Sequence, residues 1–183
     1  QPILKLTQRL AAVDELTGLF NRRFLETFLS KEINRAQRYN QVFSVLFVDV
    51  DNFKRINDSY GHTVGDRVLA GLGQQITSLL RHEDIAARYG GEEFTIVLPQ
   101  TTDRGAVAFG ARLREAVSEL DVVTDLRVSF SGGVAAYPRH GRSVDDIMRR
   151  ADAALYEAKF SGKDRIVVSE ADKRASRRYR IDF

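Results

Sequence analysis

Hydrophobic and polar positions change period several times along the chain, and each change marks an element. Helical spacing over Arg22–Tyr39, with Phe24, Phe28 and Leu29 inward, predicts a helix. Phe43–Asp49 is a continuous apolar run, the pattern of a central strand buried on both faces. Phe53–Ser59 reads as a short helix. Gly65-Asp66 opens another, with Val68, Leu69, Leu72, Ile76 and Leu79 on one face. The period then drops to two: Ile85, Ala87 and Tyr89 alternate before Gly90-Gly91, and Phe94, Ile96 and Leu98 alternate after it. That predicts a β-hairpin whose Gly-Gly tip uses the positive φ angles that glycine accepts. Asp103–Leu120 returns to helical spacing, with Ala106, Phe109, Leu113 and Val117 inward. Arg127–Tyr137 is a strand closed by Pro138. Ser143–Phe160 is a helix burying Ile147, Ala151, Ala154, Leu155 and Ala158, and Arg165–Val168 is a last short strand. A hairpin among long helices predicts an α+β fold, a mixed and largely antiparallel sheet covered by helices.

The two ends read differently from this body. Ile3, Leu6, Leu10 and Val13 fall at 3-4-3 spacing, which suits either two heptads of a coiled-coil seam or a short amphipathic helix lying on the domain. Residues 1–13 are therefore an N-terminal signalling helix or linker, 14–168 the globular domain, and 169–183 a basic tail. The first residue is glutamine, so the chain reads as a piece excised from a longer protein. The formal net charge of +3 is concentrated in the tail, whose five basic and three acidic residues account for +2 of it. What remains is no footprint for a nucleic acid. There is no cysteine, hence no disulfide or thiolate site. No apolar run approaches the roughly 20 residues of a membrane span, so no direct membrane contact is expected. A reducing, cytoplasmic setting fits.

Acidic residues at two strand ends carry the candidate chemistry. Asp49-Val50-Asp51 closes the buried strand, and Glu92-Glu93 follows the Gly-Gly turn. An acid at the edge of a core is costly unless paired or metal-bound. If the hairpin lies beside the strand, Asp49 and Glu92 can share a site, and hard oxygen ligands suit magnesium or manganese with phosphate oxygens. Lys54, Asn57 and Asp66 each have a plain alternative as solvated lysine, turn amide and N-cap. Together they offer phosphate neutralisation and the donor and acceptor edges complementary to guanine. Lys159 and Lys163, near a helix C-terminus, suit either the helix dipole or a phosphate. Neither a GxGxxG turn nor a Walker A lysine loop is present.

Taken together, these segments resemble one family. Arg88-Tyr89-Gly90-Gly91-Glu92-Glu93-Phe94 is similar to the signature of the GGDEF family, the diguanylate cyclases, in its Glu variant. Asp14–Arg23, Asp49–Asp58, Gly61–Asp66, Ser131–Ala135 and Ala151–Lys159 resemble further family segments in the family's order. The resemblance implies a palm-like fold shared with nucleotidyl cyclases and polymerases. It implies two Mg2+ (or Mn2+) per active site, held by Asp49, Glu92 and the Val50 carbonyl, with Glu93 as a further ligand or an aid to deprotonation. Phe53, Asn57, Asp66, Gly90 and Gly91 would line the GTP site, and Lys54, Lys159 and Lys163 would neutralise the triphosphate. Lys163 stands where the family usually has arginine, which keeps the charge and loses the bidentate fork. Arg81 and Asp84 match an RxxD inhibitory site for the product, and Arg112 is a candidate further contact.

The reading that follows is condensation of two GTP into cyclic di-GMP by a homodimer of domains, under an upstream sensor and with product inhibition. The alternatives are a catalytically silent module that binds GTP or cyclic di-GMP, and a cyclase with relaxed base choice. The intact Asp49, Glu92 and Glu93 argue against the first, and Asp66 against the second.

Overall fold

The structure is a computed structural model, and it describes residues 12–170. The N-terminal seam positions Ile3, Leu6 and Leu10 and most of the basic tail lie outside the described residues. Among the described residues six strands form one sheet: β1 Phe20–Asn21, β2 Phe43–Val50, β3 Ile85–Arg88, β4 Glu93–Pro99, β5 Phe130–Tyr137 and β6 Ile166–Val168, in the order β1-β3-β4-β2-β5-β6. The four inner strands pair antiparallel, while β1 on β3 and β6 on β5 are parallel. The sheet is thus mixed and largely antiparallel, as the alternation of hairpin and helix signals implies.

Among the described residues five helices cover it: α1 Arg22–Tyr39, α2 Phe53–Tyr60, α3 His62–Leu79, α4 Asp103–Ser118 and α5 Val144–Phe160. Their starts are written in short polar side chains. Asn21 accepts the Phe24 amide at α1, Thr102 the Gly105 amide at α4, and Ser143 the Asp146 amide at α5. β2 is buried along all eight residues, because each of its faces meets a helical layer. Leu46, Val48 and Val50 pack with Phe94, Ile96 and the α3–α4 residues Val68, Leu72 and Leu113. Val45 and Phe47 pack on the other side with Leu25 and Leu29 of α1 and Ile147 and Leu155 of α5. On α1 it is Leu25 and Leu29 that reach the core, while Phe24 and Phe28 stay half-buried.

Two sequence expectations are corrected here. The α3 helix begins at His62, three residues before Gly65, so Asp66 lies inside its first turns and is not its cap. Gly61, at φ 87, turns the chain sharply enough to end α2 and start α3 without a linker, a geometry that favours glycine. The strand expected from Arg127 begins only at Phe130. Before it, the Ser129 carbonyl accepts the Asp51 amide beyond the end of β2.

Candidate active site

The β2–β4 register sets Asp49 directly opposite Glu93. Side chains of directly opposed residues in an antiparallel pair project to the same face about 5 Å apart, and like charges there repel. One residue on, the Val50 N–H donates to the Glu92 carbonyl at 3.2 Å, which ties the turn to the strand end. Asp49 is 6% exposed, and Lys159 of α5 donates to its Oδ1 at 2.8 Å. Burial pushes the Asp49 carboxyl up; the Lys159 ammonium opposes this, and Asp51 and Asp152 add to it. Glu92 and Glu93 are also pushed up, by burial first and then by the charge of Asp49. The Asp49 charge thus raises the proton affinity of both glutamates, and the Lys159 ammonium opposes the rise at all three acids. That is the electrostatic profile of a site built to receive more positive charge.

Cations in oxygen-rich sites need such carboxylates deprotonated and close together. The donor set fits a hard divalent ion: Asp49, Glu92, Glu93 and the Val50 carbonyl are all oxygen. Among the described residues, however, no three acidic or histidine side chains are already gathered into a ligand cluster, and Lys159 holds one Asp49 oxygen. Loading a metal therefore requires these side chains to rearrange.

The Gly-Gly turn is held in a way the sequence does not announce. Gly90 and Gly91 are not at positive φ, so the expected left-handed tip is absent. Four residues, Tyr89–Glu92, join the strands, and a loop of that length closes without the conformation a two-residue turn needs. A Cβ on Gly90 would lie 2.5 Å from Glu93 Oε2, whereas Gly91 has open space. Only the tip of a flexible side chain crowds Gly90. Arg88 clamps the turn from beneath, with Nη2 on the Gly91 carbonyl at 2.8 Å, Nε on the Gly90 carbonyl at 3.2 Å and Nη1 on Asp14 Oδ1 at 3.2 Å. Burial would raise the Asp14 carboxyl, but the Thr17 hydroxyl and amide together with Arg88 hold it below its usual range. Tyr89 packs edge-on against Phe47 and under the Arg22 guanidinium.

A second group forms where α2 meets α3. Asn57 of α2 packs so closely on α3 that a Cβ on Gly65 would lie well inside contact distance of Asn57 Oδ1, with Phe53 Cζ 3.2 Å away. Asn57 Oδ1 is buried and has no hydrogen-bond partner among the described residues. An amide oxygen in that state is costly unless a ligand or water satisfies it. Asp66 is exposed one residue beyond Gly65, and Lys54 is exposed on α2. Lys163 donates its Nζ to Asn52 Oδ1.

The remaining expected residues lie elsewhere. Asp84 is buried at the far end of β3 from the Gly-Gly turn. Its Oδ2 accepts the Arg81 amide at 2.7 Å, its Oδ1 has no partner among the described residues, and burial pushes its carboxyl up. Arg81 is exposed, and Arg112 on α4 lies over the Phe109 ring at 5.9 Å. The sequence reading missed Asp152, whose charge reaches both Asp49 and Glu93. Its spacing was the available signal: seven residues before Lys159 is two turns, the same helical face.

Comparison with known proteins agrees with this architecture. Residues 11–165 match the family model "Diguanylate cyclase, GGDEF domain". Diguanylate cyclase A of Treponema denticola is 38% identical over 167 residues, covering 88% of this chain and 45% of that protein. The chain thus spans under half of that relative's length. Among solved structures, the diguanylate cyclase SiaD of Pseudomonas aeruginosa, in complex with its activator SiaC, superposes with a TM-score of 0.83 at 40% identity. That match covers 92% of this chain and 67% of that one. The coiled coil and GGDEF domain of DgcB from Caulobacter crescentus, in complex with c-di-GMP, gives 0.86 at 29% identity, covering 92% and 91%. A family match over most of the length makes this chain a member of the diguanylate cyclase GGDEF domain family.

Proposed function

We propose that this domain condenses two GTP into cyclic di-GMP with release of two pyrophosphates. The observation that carries the reading is the β2–β4 register, which opposes Asp49 to Glu93 at the Gly-Gly turn, with Lys159 paired to Asp49. In each half-reaction a ribose 3′-oxygen forms a bond to the α-phosphorus of the other nucleotide as the bond to the β-phosphate oxygen breaks. The hydroxyl proton passes to a carboxylate of the site, and Glu93 either accepts it or serves as a further metal ligand. Divalent metal held by Asp49, the Val50 carbonyl, Glu92 and Glu93 would activate the nucleophile and screen the leaving pyrophosphate. Lys54, Lys159 and Lys163 neutralise the phosphates. Asn57 meets the base with its unpaired amide oxygen, and Asp66 completes the guanine contact. Two-fold symmetry of the product requires two domains face to face, each presenting one nucleotide, which an upstream helix and sensor would bring together in the cytoplasm.

Incubation with GTP and magnesium, followed by mass analysis, should give cyclic di-GMP and pyrophosphate, with specific activity rising with protein concentration. Nucleotide bound but unchanged would overturn the reading in favour of a silent binding module. Asp66→Ser should admit ATP as a measurable competitor, since the lost carboxylate accepted from N1 and N2 donors that adenine lacks. A bidentate base contact discriminates by about 1–3 kcal/mol. Full preference for GTP in the variant would put base reading elsewhere.

Product inhibition is the second part of the proposal. Arg81 can fork onto guanine O6 and N7, and the Asp84 carboxylate lies three residues on. Because Asp84 Oδ2 also closes its own turn, Arg81→Ala is the cleaner probe. The variant should keep its initial rate and give a linear progress curve where the parent's flattens as product accumulates. Equal inhibition of both would remove the site from the scheme.

A further inference from the structure

We propose that Asp51, to which no part in the chemistry is assigned, positions Lys163 by holding the loop between α5 and β6. The inference rests on the GTP-binding reading above. Asp51 is 5% exposed, just beyond the end of β2. Its Oδ1 accepts the Ser131 hydroxyl at 2.6 Å, and its Oδ2 accepts the Ser129 hydroxyl at 2.7 Å and the backbone N–H of Asp164 at 3.0 Å. The third bond crosses from the metal-side strand to the loop that carries Lys163.

That loop needs holding. Gly162, Lys163 and Asp164 follow one another at φ 112, 62 and 46, three left-handed residues of which two carry side chains. Strained backbone of this kind persists where its surroundings over-determine it. The Lys163 amide donates to the Ala158 carbonyl at 3.0 Å, which anchors the loop to the end of α5. Arg114 pairs with Asp164 at 2.9 Å, but that ion pair faces solvent and holds weakly. Asp51 is the buried anchor that fixes the loop to β2. The next residue, Asn52, also left-handed at φ 55, takes the Lys163 ammonium on its Oδ1. Two adjacent residues thus grip the loop, one by its backbone and one by the lysine head. A fixed carboxylate is suited to the backbone grip, since it accepts all three donors at once, whereas an amide offers one acceptor oxygen. Lys163 is left tied to Asn52, three positions past Asp49 in sequence, from which the phosphates of a bound nucleotide would displace it.

The test separates positioning from mere support of the fold. Calorimetric titrations with magnesium use 3′-deoxy-GTP, which lacks the attacking hydroxyl, and GMP, which lacks the outer phosphates. Asp51→Asn and Lys163→Met should each weaken the triphosphate about tenfold, the scale of one charge-assisted hydrogen bond, and leave GMP unchanged. The double variant should bind no worse than the weaker single, because both changes remove the same contact. If Lys163→Met weakens the triphosphate and Asp51→Asn does not, the proposal is wrong. Multiplied losses in the double variant, or equal losses for GMP, would reduce Asp51 to a structural acid. Should Asp51→Asn fold poorly, Ser129→Ala removes one support of the same carboxylate and must weaken the triphosphate alone. A parent that binds GMP but gains nothing from the outer phosphates overturns the Lys163 inference while leaving guanine binding standing. A parent that binds neither overturns the GTP reading itself, and this inference with it.

Discussion

Glu92→Gln and Asp49→Asn are each expected to abolish turnover with the fold intact, and Glu92→Gln should raise thermal stability in the absence of metal. Amides bind magnesium poorly, and a lost metal ligand is worth about 4 kcal/mol of transition-state stabilisation, or roughly a thousandfold in rate. The stability gain follows from the electrostatics. The carboxyls of Asp49, Glu92 and Glu93 are pushed above their ordinary values of 3.8 and 4.5 by burial, with Asp49's charge adding to both glutamates. A group whose proton affinity rises on folding contributes stability below its ordinary value, and that contribution is lost as pH rises through the raised one. At about neutral pH these acids therefore work against the fold, and removing the Glu92 charge relieves it. Asp49→Asn should change stability less, because it also frees Lys159 from its partner. Melting in a chelator, at neutral pH and again near the ordinary carboxylate values, reads the effect: Glu92→Gln should gain at neutral pH and little in acid. Near-normal activity with magnesium in either variant would sink the metal assignment. A lower melting temperature for Glu92→Gln would sink the electrostatic account.

Much of this arrangement was legible because it is periodic or local. The run Phe43–Asp49 announced a strand with no solvent face, and β2 is buried on both sides between the two helical layers. The alternation around Gly90-Gly91 announced the hairpin, and the acids at its tip and at the end of β2 do meet. What was not legible depended on register and on contacts across the chain. Sequence suggested Asp49 with Glu92, and the Asp49 charge does reach Glu92; that the ladder sets Asp49 directly opposite Glu93 could not be counted from one strand alone. The glycines at the turn looked like devices for positive φ. Neither adopts it, and the clamp on the turn from Asp14 through Arg88 spans 74 residues of sequence. Gly65 looked like a helix start because glycine is poor inside helices, yet it lies within α3 because the Asn57 amide occupies the place of its side chain.

Gly133→Ala is expected to be the most damaging single-methyl change in the fold. Gly133 sits in β5 beneath α5, and a Cβ there would lie 2.3 Å from the Leu155 nitrogen and 2.9 Å from the Ala154 carbonyl carbon, and closer still to the Ala151 carbonyl oxygen. All three are backbone atoms, so no rotamer change relieves the contact, and the helix must retreat from the sheet. Overpacking of a core costs about 1–3 kcal/mol, and a clash with helix backbone belongs at the upper end. For a domain of this size that is a fall of roughly 10 °C in melting temperature. The damage should also reach the chemistry, because α5 carries Lys159 to Asp49 and leads into the Lys163 loop. Triphosphate binding should therefore weaken in the fraction that remains folded. Gly91→Ala is the matched control: the same methyl, placed at the turn, meets nothing within 4 Å. It should melt within a degree or two of the parent, since surface changes away from special features fall within about 0.5 kcal/mol. If the two variants melt alike, the close seating of α5 on β5 does not hold the active-site lysine where the structure has it.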